Sequence, residues 1–89
     1  MLRLLLAVVL ATSLLTTPAL AACDDGHWIS EVVNDGAVVV LQDGSMWRVD
    51  GIDQIDTALW LPLTSIAVCD GNMLINTDDG EKAHVRPIR

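Results

Sequence analysis

Cys23 and Cys69 are the two cysteines of this 89-residue chain, and their pairing is the first chemistry that the sequence suggests. An even cysteine count predicts a disulfide in a chain that enters an oxidising compartment, and this bond would tie residue 23 to the second half of the chain. In the chain-entropy model, a disulfide that closes the loop over residues 23–69 stabilises the folded state by about 4 kcal/mol. A contribution of this size matters for so small a domain. Redox chemistry is disfavoured because the Cys-x-x-Cys spacing is missing.

Trp28, Trp47 and Trp60 are the aromatic residues of the chain, which has no Tyr and no Phe. An aromatic groove on a small barrel would bind a peptide or a glycan, so all three are candidate groove residues. The competing interpretation places them in the core, where aromatic volume fills the interior of a small domain. The core is favoured for Trp28 and Trp47, whereas Trp60 stays open because it sits in an irregular segment.

The ten aspartates raise the question of a calcium site. Calcium loops place oxygen ligands at alternate positions and glycine at the sixth, whereas Gly80 is the fifth residue of the run 76–81. His27 and His84 are too few for a zinc site. We therefore predict hairpin turns with solvated carboxylates, no metal site and no cofactor.

Residues suited to catalysis occur without the spacing that catalysis needs. Ser45 follows Asp43-Gly44 in a predicted turn. The Gly-x-Ser-x-Gly elbow is missing around it, and no general base stands at a spacing that indicates catalysis. Glu31 is available to pair with an aspartate, but nothing in the sequence places two carboxylates in one cleft. We therefore predict that the protein is not an enzyme.

The glycines indicate how these residues are positioned, because all six directly follow an aspartate. Asp-Gly between apolar runs predicts a hairpin turn, since both residues tolerate positive φ. The runs between the turns predict strands at residues 28–33, 37–42, 46–50, 65–69, 73–77 and 82–88. The sequence therefore predicts an all-β domain of about six short antiparallel strands. It would be an SH3-like barrel or two packed three-stranded meanders, with the barrel favoured.

The turns also predict which side chains of the first meander face inward. With a two-residue turn at Asp43-Gly44, Val40 lies opposite Trp47, and a three-residue loop at 34–36 brings Trp28 to the same face. The predicted inner face comprises Trp28, Val32, Val38, Val40, Trp47 and Val49. In the last strand, Ala83 and Val85 alternate with polar residues and are predicted to face inward.

The segment 51–64 breaks the strand pattern between the two meanders. Ile52, Ile55 and Leu59 have the spacing of one helix face, which predicts a single helical turn over residues 53–59. Asp53 would cap this turn, and Pro62 would prevent the helix from continuing.

Residues 1–22 differ from the rest of the chain and predict a signal peptide, followed by a small β domain at 23–89. Arg3 precedes an apolar run, and Ala19-Leu20-Ala21 is the pattern that signal peptidase accepts. The run is shorter than the ~20 residues that a membrane span requires, which favours a cleaved signal peptide over a membrane anchor. No span is predicted in the mature chain. Residues 20–23 also resemble the lipobox of bacterial lipoproteins, so lipid attachment at Cys23 stays open as an alternative to the disulfide.

The charge of the mature chain narrows the classes of partner. Removal of Arg3 with the leader leaves four basic residues against twelve acidic ones, a net charge of −8. Nucleic-acid binders and polybasic membrane-surface binders need clustered Lys and Arg, so both classes are disfavoured. A surface this negative instead steers cationic partners towards the protein.

Three short motifs carry a resemblance: Asp43-Gly44-Ser45-x-Trp47-x-Val49, Trp60-Leu61-Pro62 and the run 76–81. They resemble a group of short, uncharacterised exported bacterial proteins over about residues 23–89, including both cysteines. The resemblance implies export and carries over no functional residue. The leader, the size and the Asp-Gly turns are more loosely similar to small envelope lipoproteins with SH3-like barrels, which bears on the fold alone.

We therefore expect a small exported, non-enzymatic binding or structural module of the bacterial cell envelope, periplasmic or secreted. Its partner would be a protein, a peptide or a glycan. Two alternatives stay open at this point. One is a secreted inhibitor of a cell-wall hydrolase or protease, and the other is an envelope lipoprotein tethered by a lipid on Cys23.

Overall fold

The computed structural model describes residues 22–88, which form six strands, one short α-helix and two 3-10 turns (Asn34–Gly36 and Gly51–Asp53). The elements are β1 (Cys23–Val33), β2 (Val38–Leu41), β3 (Met46–Val49), α1 (Gln54–Thr57), β4 (Ser65–Cys69), β5 (Met73–Asn76) and β6 (Lys82–Pro87). The prediction of a small all-β domain is confirmed. Residues 1–21 of the predicted signal peptide lie outside the described residues. Within 22–88, no helix has the length and apolar character needed to cross a membrane.

The six described strands close into one antiparallel barrel in the order β1-β2-β3-β6-β5-β4. Closure depends on β1, whose first half pairs with β4 and whose second half pairs with β2. The register of β1 shifts between Asp24 and His27, where Gly26 has a φ of 89°, and again between Ile29 and Glu31. Bulges bend a strand and let it pass from one sheet to the next. The closed strand order confirms the favoured barrel.

The core fills the inside of the barrel with side chains from every strand and from the crossover, residues 51–64. The buried cluster comprises Ile29, Val39, Leu41, Val49, Trp60, Ile66, Leu74, Ala83 and Val85. The predicted inward positions of Ala83 and Val85 are confirmed, since their neighbours on β6 are exposed.

The register between β2 and β3 differs from the prediction by one residue. Val39 lies opposite Trp47, where Val40 was predicted, because the connecting loop contains a third residue. A two-residue type I′ turn needs positive φ at both central positions, and of Asp43 and Gly44 the glycine alone has it, at 86°. Val39 is therefore fully buried, and Val40 is half-buried.

The predicted core position of Trp28 is wrong. The bulge in β1 before Glu31 inserts an extra residue, which changes the side of the strand that each side chain faces. Ile29 therefore enters the core with no exposed surface, and Trp28 is 45% exposed. The predicted three-residue loop at 34–36 is also wrong, because Val33 pairs with Val38. The connection therefore spans residues 34–37 and includes a 3-10 turn (Asn34–Gly36).

Cys23 and Cys69 form the predicted disulfide. The two residues lie directly opposite each other on β1 and β4, so the bond crosslinks the ladder that closes the barrel. Because Cys23 is the first residue of β1, the disulfide fixes the start of the barrel to the end of β4.

Candidate functional site

The crossover carries most of the large apolar side chains that residues 22–88 expose. We call five of them the crossover surface: Ile52, Ile55, Leu59, Leu61 and Leu63, each between 69% and 82% exposed. The spacing of the first three predicts a helical turn, and α1 confirms that turn. Their side chains nevertheless face solvent, because Thr57 and Trp60 occupy the inner side of this segment.

Thr57 attaches the crossover to the connection between β1 and β2. This side chain is fully buried, and its hydroxyl donates to the carbonyl oxygen of Gly36 at 2.7 Å. Gly36 has a φ of 94°, and a Cβ there would lie 2.6 Å from both the Gln54 carbonyl oxygen and the Ala58 nitrogen. Glycine is therefore required for the two segments to approach this closely.

Asp53 attaches the crossover to β6. The predicted capping role of Asp53 is wrong, because its side chain makes no hydrogen bond to the start of α1. Its Oδ2 instead accepts the backbone N–H of His84 at 2.8 Å and lies 3.1 Å from His84 Nδ1. The backbone hydrogen bond from His84 holds the pKa of the Asp53 carboxyl below its ordinary value.

Trp60 attaches the crossover to the turn between β5 and β6. The indole belongs to the core cluster and is 4% exposed, so the open question about Trp60 resolves in favour of the core. Its Nε1–H donates to Glu81 Oε1 at 2.8 Å. This bond joins two of the motifs on which the resemblance rests.

A cleft of about 320 Å³ lies between the crossover and the β5–β6 turn, and we call it the acidic cleft. Leu59 and Leu61 supply its apolar lining, and Asp78, Asp79 and Glu81 supply its carboxylates. None of the described residues that line the cleft is basic. The cleft thus combines part of the crossover surface with three negative charges.

Side-chain hydrogen bonds shape the turn that carries these charges. The side-chain oxygen of Asn76 accepts the N–H of Asp78 at 3.0 Å, and Asp79 Oδ1 accepts the N–H of Glu81 at 2.9 Å. The Gly80 N–H donates to the Asn76 carbonyl oxygen at 2.7 Å. Among residues 22–88, no group of three His, Cys, Asp or Glu side chains is placed to hold a metal ion.

The Asp43-Gly44-Ser45-x-Trp47 motif forms a separate hydrogen-bonded chain. Asp43 Oδ1 accepts the hydroxyl of Ser45 at 2.6 Å and its N–H at 2.9 Å, and these bonds lower the pKa of the Asp43 carboxyl. Ser45 Oγ in turn accepts Nε1–H of the half-buried Trp47 at 3.0 Å. The Ser45 proton is thus directed to a carboxylate and not to an imidazole base, an arrangement that orients the turn and Trp47.

The three candidate groove tryptophans occupy three different environments. Trp60 is buried beside the acidic cleft, Trp47 is half-buried, and Trp28 is exposed on β1. Of the three, Trp60 alone lines the acidic cleft.

Sequence reasoning missed the leucines of the cleft, although one signal was available. The crossover holds more large apolar residues than a single helical turn is able to bury.

No protein-family model, no curated protein and no solved structure matches this chain. The resemblance to short exported bacterial proteins therefore stays a prediction. Function has to be inferred from the crossover surface and the acidic cleft.

Proposed function

We propose that this protein is a small exported, non-enzymatic binding module of the bacterial cell envelope, and that it binds its partner through the crossover surface. The observation that carries the proposal is the exposure of five large aliphatic side chains on one anchored segment. Large apolar surfaces on small soluble domains mark interaction sites, because their contact with water is unfavourable. A partner that covers these side chains would remove that cost.

The anchoring of the crossover supports a binding role. Thr57, Asp53 and Trp60 attach this segment to three different parts of the barrel. A segment that is already fixed loses little conformational entropy when a partner binds. The crossover surface is therefore presented in one arrangement, as a recognition surface needs to be.

The disulfide supports export, because such bonds persist in oxidising compartments outside the cytosol. It also favours an untethered protein over the lipoprotein alternative, since a lipid on Cys23 would require the same sulfur atom. The intact mass of the native protein, before and after reduction and alkylation, distinguishes the two. We expect two alkyl groups to be gained after reduction only. Acyl chains on Cys23 with a free Cys69 would establish the lipoprotein instead.

Inhibition of a cell-wall hydrolase or protease is the second candidate function. The long anchored crossover and the net charge of −8 on residues 23–89 favour it, because a rigid segment on an acidic domain suits a cationic enzyme. Titration of the protein into a cationic muramidase and into a panel of proteases tests this candidate. Full activity of every enzyme at micromolar protein would exclude it.

Photo-crosslinking in the source organism tests the binding role directly. The full chain, with its own leader, would carry a photoreactive amino acid at Leu61. A matched chain would carry it at Asp25, which is exposed on β1 outside the acidic cleft. We expect a discrete adduct from position 61 and none from position 25.

A second variant controls for chance collisions with abundant proteins. Ile55→Ser combined with Leu59→Ser removes two exposed side chains that make no contribution to the core cluster, so the barrel should stay folded. Loss of the adduct in this variant would support a specific surface. An absent adduct, or equal adducts from positions 61 and 25, would contradict the proposed function.

A further inference from the structure

We infer that the acidic cleft receives a basic side chain, arginine or lysine, from an apolar-flanked peptide segment of the partner protein. The inference rests on the proposed function and specifies the chemistry of the partner. It starts from the position of the cleft, where Leu59 and Leu61 of the crossover surface meet three carboxylates.

Within the part of the chain that the structure describes, no ion pair joins the carboxylates of the cleft to a cation. Among residues 22–88, the ion pairs within 4.0 Å are made by His27 and His84, neither of which lines the cleft. Lys82 follows Glu81 in sequence, but it too is not among the lining residues. Three like charges in one short turn repel each other, so a cation brought by a ligand would relieve that repulsion.

The shape and lining of the cleft suit a long basic side chain. Arginine and lysine carry a charged head on an apolar stem, and such stems pack along apolar surfaces while the head reaches polar groups. Leu59 and Leu61 would contact the stem, and Asp78 and Glu81 would contact the head. Glu81 is held in place by Trp60 Nε1–H at 2.8 Å through Oε1, which leaves Oε2 available for the ligand.

The same charges disfavour two other occupants. An anionic lipid surface would bring more negative charge to a domain of net charge −8. A second copy of this chain carries the same net charge, although Arg48 and Arg86 lie side by side on β3 and β6 and form one local basic patch. A basic peptide segment agrees with both the local and the total charge.

Calorimetric titration with two matched peptides tests the inference. One is an end-blocked hexapeptide of alternating leucine and arginine, and the other has citrulline in place of arginine. Citrulline keeps the length of the side chain and removes its charge. The protein is recovered from cells that express the full chain. We expect the arginine peptide to bind and to shift the indole N–H resonance of Trp60, since that N–H donates a hydrogen bond to Glu81 Oε1.

A charge-matched pair of variants locates the binding. Asp78→Asn with Glu81→Gln neutralises two cleft carboxylates, and the amide oxygen introduced at position 81 keeps an acceptor for Trp60. Asp25→Asn with Glu31→Gln removes the same charge from exposed positions on β1. We expect the cleft variant to bind the arginine peptide about three- to ten-fold more weakly, as for two exposed ion pairs, and the β1 variant to bind it nearly unchanged.

Several results would overturn the inference. These are absent binding of the arginine peptide, equal binding of the citrulline peptide, and equal weakening by both variants. Two further results would also overturn the inference. One is binding of phosphatidylglycerol vesicles that depends on Leu61, and the other is a dimer that the double substitution Arg48→Gln with Arg86→Gln abolishes. If adducts at position 61 form in cells while the arginine peptide fails to bind, the proposed function stands and only the basic ligand is refuted.

Discussion

Replacement of Trp60 by alanine should be the most damaging of the three tryptophan truncations. Trp60 is 4% exposed within the core cluster, whereas Trp28 is 45% exposed outside it. Truncation of a buried aromatic side chain costs about 3–5 kcal/mol. A domain of this size has a total stability of about 3–10 kcal/mol, so Trp60→Ala should remove much or all of it.

The matched substitution Trp28→Ala should cost about 1 kcal/mol or less, because nearly half of this side chain already contacts water. Trp47→Ala should fall between the two, since Trp47 is half-buried and packs against the core cluster. The expected order of destabilisation is therefore Trp60, then Trp47, then Trp28. Sequence-based assignment of Trp28 to the core would predict a different order.

Urea unfolding followed by far-UV circular dichroism, with the disulfide intact, measures these differences. With a slope of about 1 kcal/mol per molar urea, a loss of 3 kcal/mol moves the midpoint down by about 3 M. Trp60→Phe should cost about 1–2 kcal/mol, because it keeps most of the ring volume and loses the hydrogen bond to Glu81. The reasoning would be refuted if Trp28→Ala and Trp60→Ala lowered the midpoint equally.

Three further predictions concern the attachments that hold the barrel. Joint replacement of Cys23 and Cys69 by serine should lower the free energy of unfolding by about 4 kcal/mol, measured in urea; a loss below about 1 kcal/mol would contradict the crosslinking role. Gly36→Ala should lower the free energy of unfolding by more than about 2 kcal/mol, because the added Cβ would clash with backbone atoms. Gly44 also has a positive φ, but the space around it is open, so Gly44→Ala should cost only about 1 kcal/mol. The pKa of Asp53 is lowered in the folded protein, so the folded state binds fewer protons and stability should fall as the pH drops from the ordinary value of 3.8 through the lower folded value. Asp53→Asn should reduce this acid sensitivity in urea midpoints measured between about pH 5 and pH 2, and an unchanged profile would argue against the contribution of Asp53.

The candidate site shows a limit of sequence reasoning that has a physical origin. The spacing of Ile52, Ile55 and Leu59 predicts a helical turn correctly, but spacing cannot state which side of a single turn faces the barrel. That choice was made by Thr57 and Trp60, whose polar atoms find partners at Gly36 and Glu81. Both partners are 21 residues away, beyond the reach of any local pattern.

Register shows the same limit within the sheet. All four residues of β2 are apolar, so the alternation that normally fixes a strand's inward face is missing there. The inward face of β2 then depended on whether the loop that contains Asp43-Gly44 has two or three residues. The φ of Asp43 decides that, and an Asp-Gly pair is compatible with either turn.

By itself, the sequence determined the all-β class, the number of strands and their approximate positions, and it favoured a disulfide between the two cysteines over lipid attachment at Cys23. These follow from local turn chemistry, from short apolar runs and from a cysteine count of two. Tertiary structure alone decided the register, the closure through a bent β1, and the exposure of the crossover leucines beside three carboxylates. Those features depend on contacts between distant segments, whose energies appear only when the barrel is assembled.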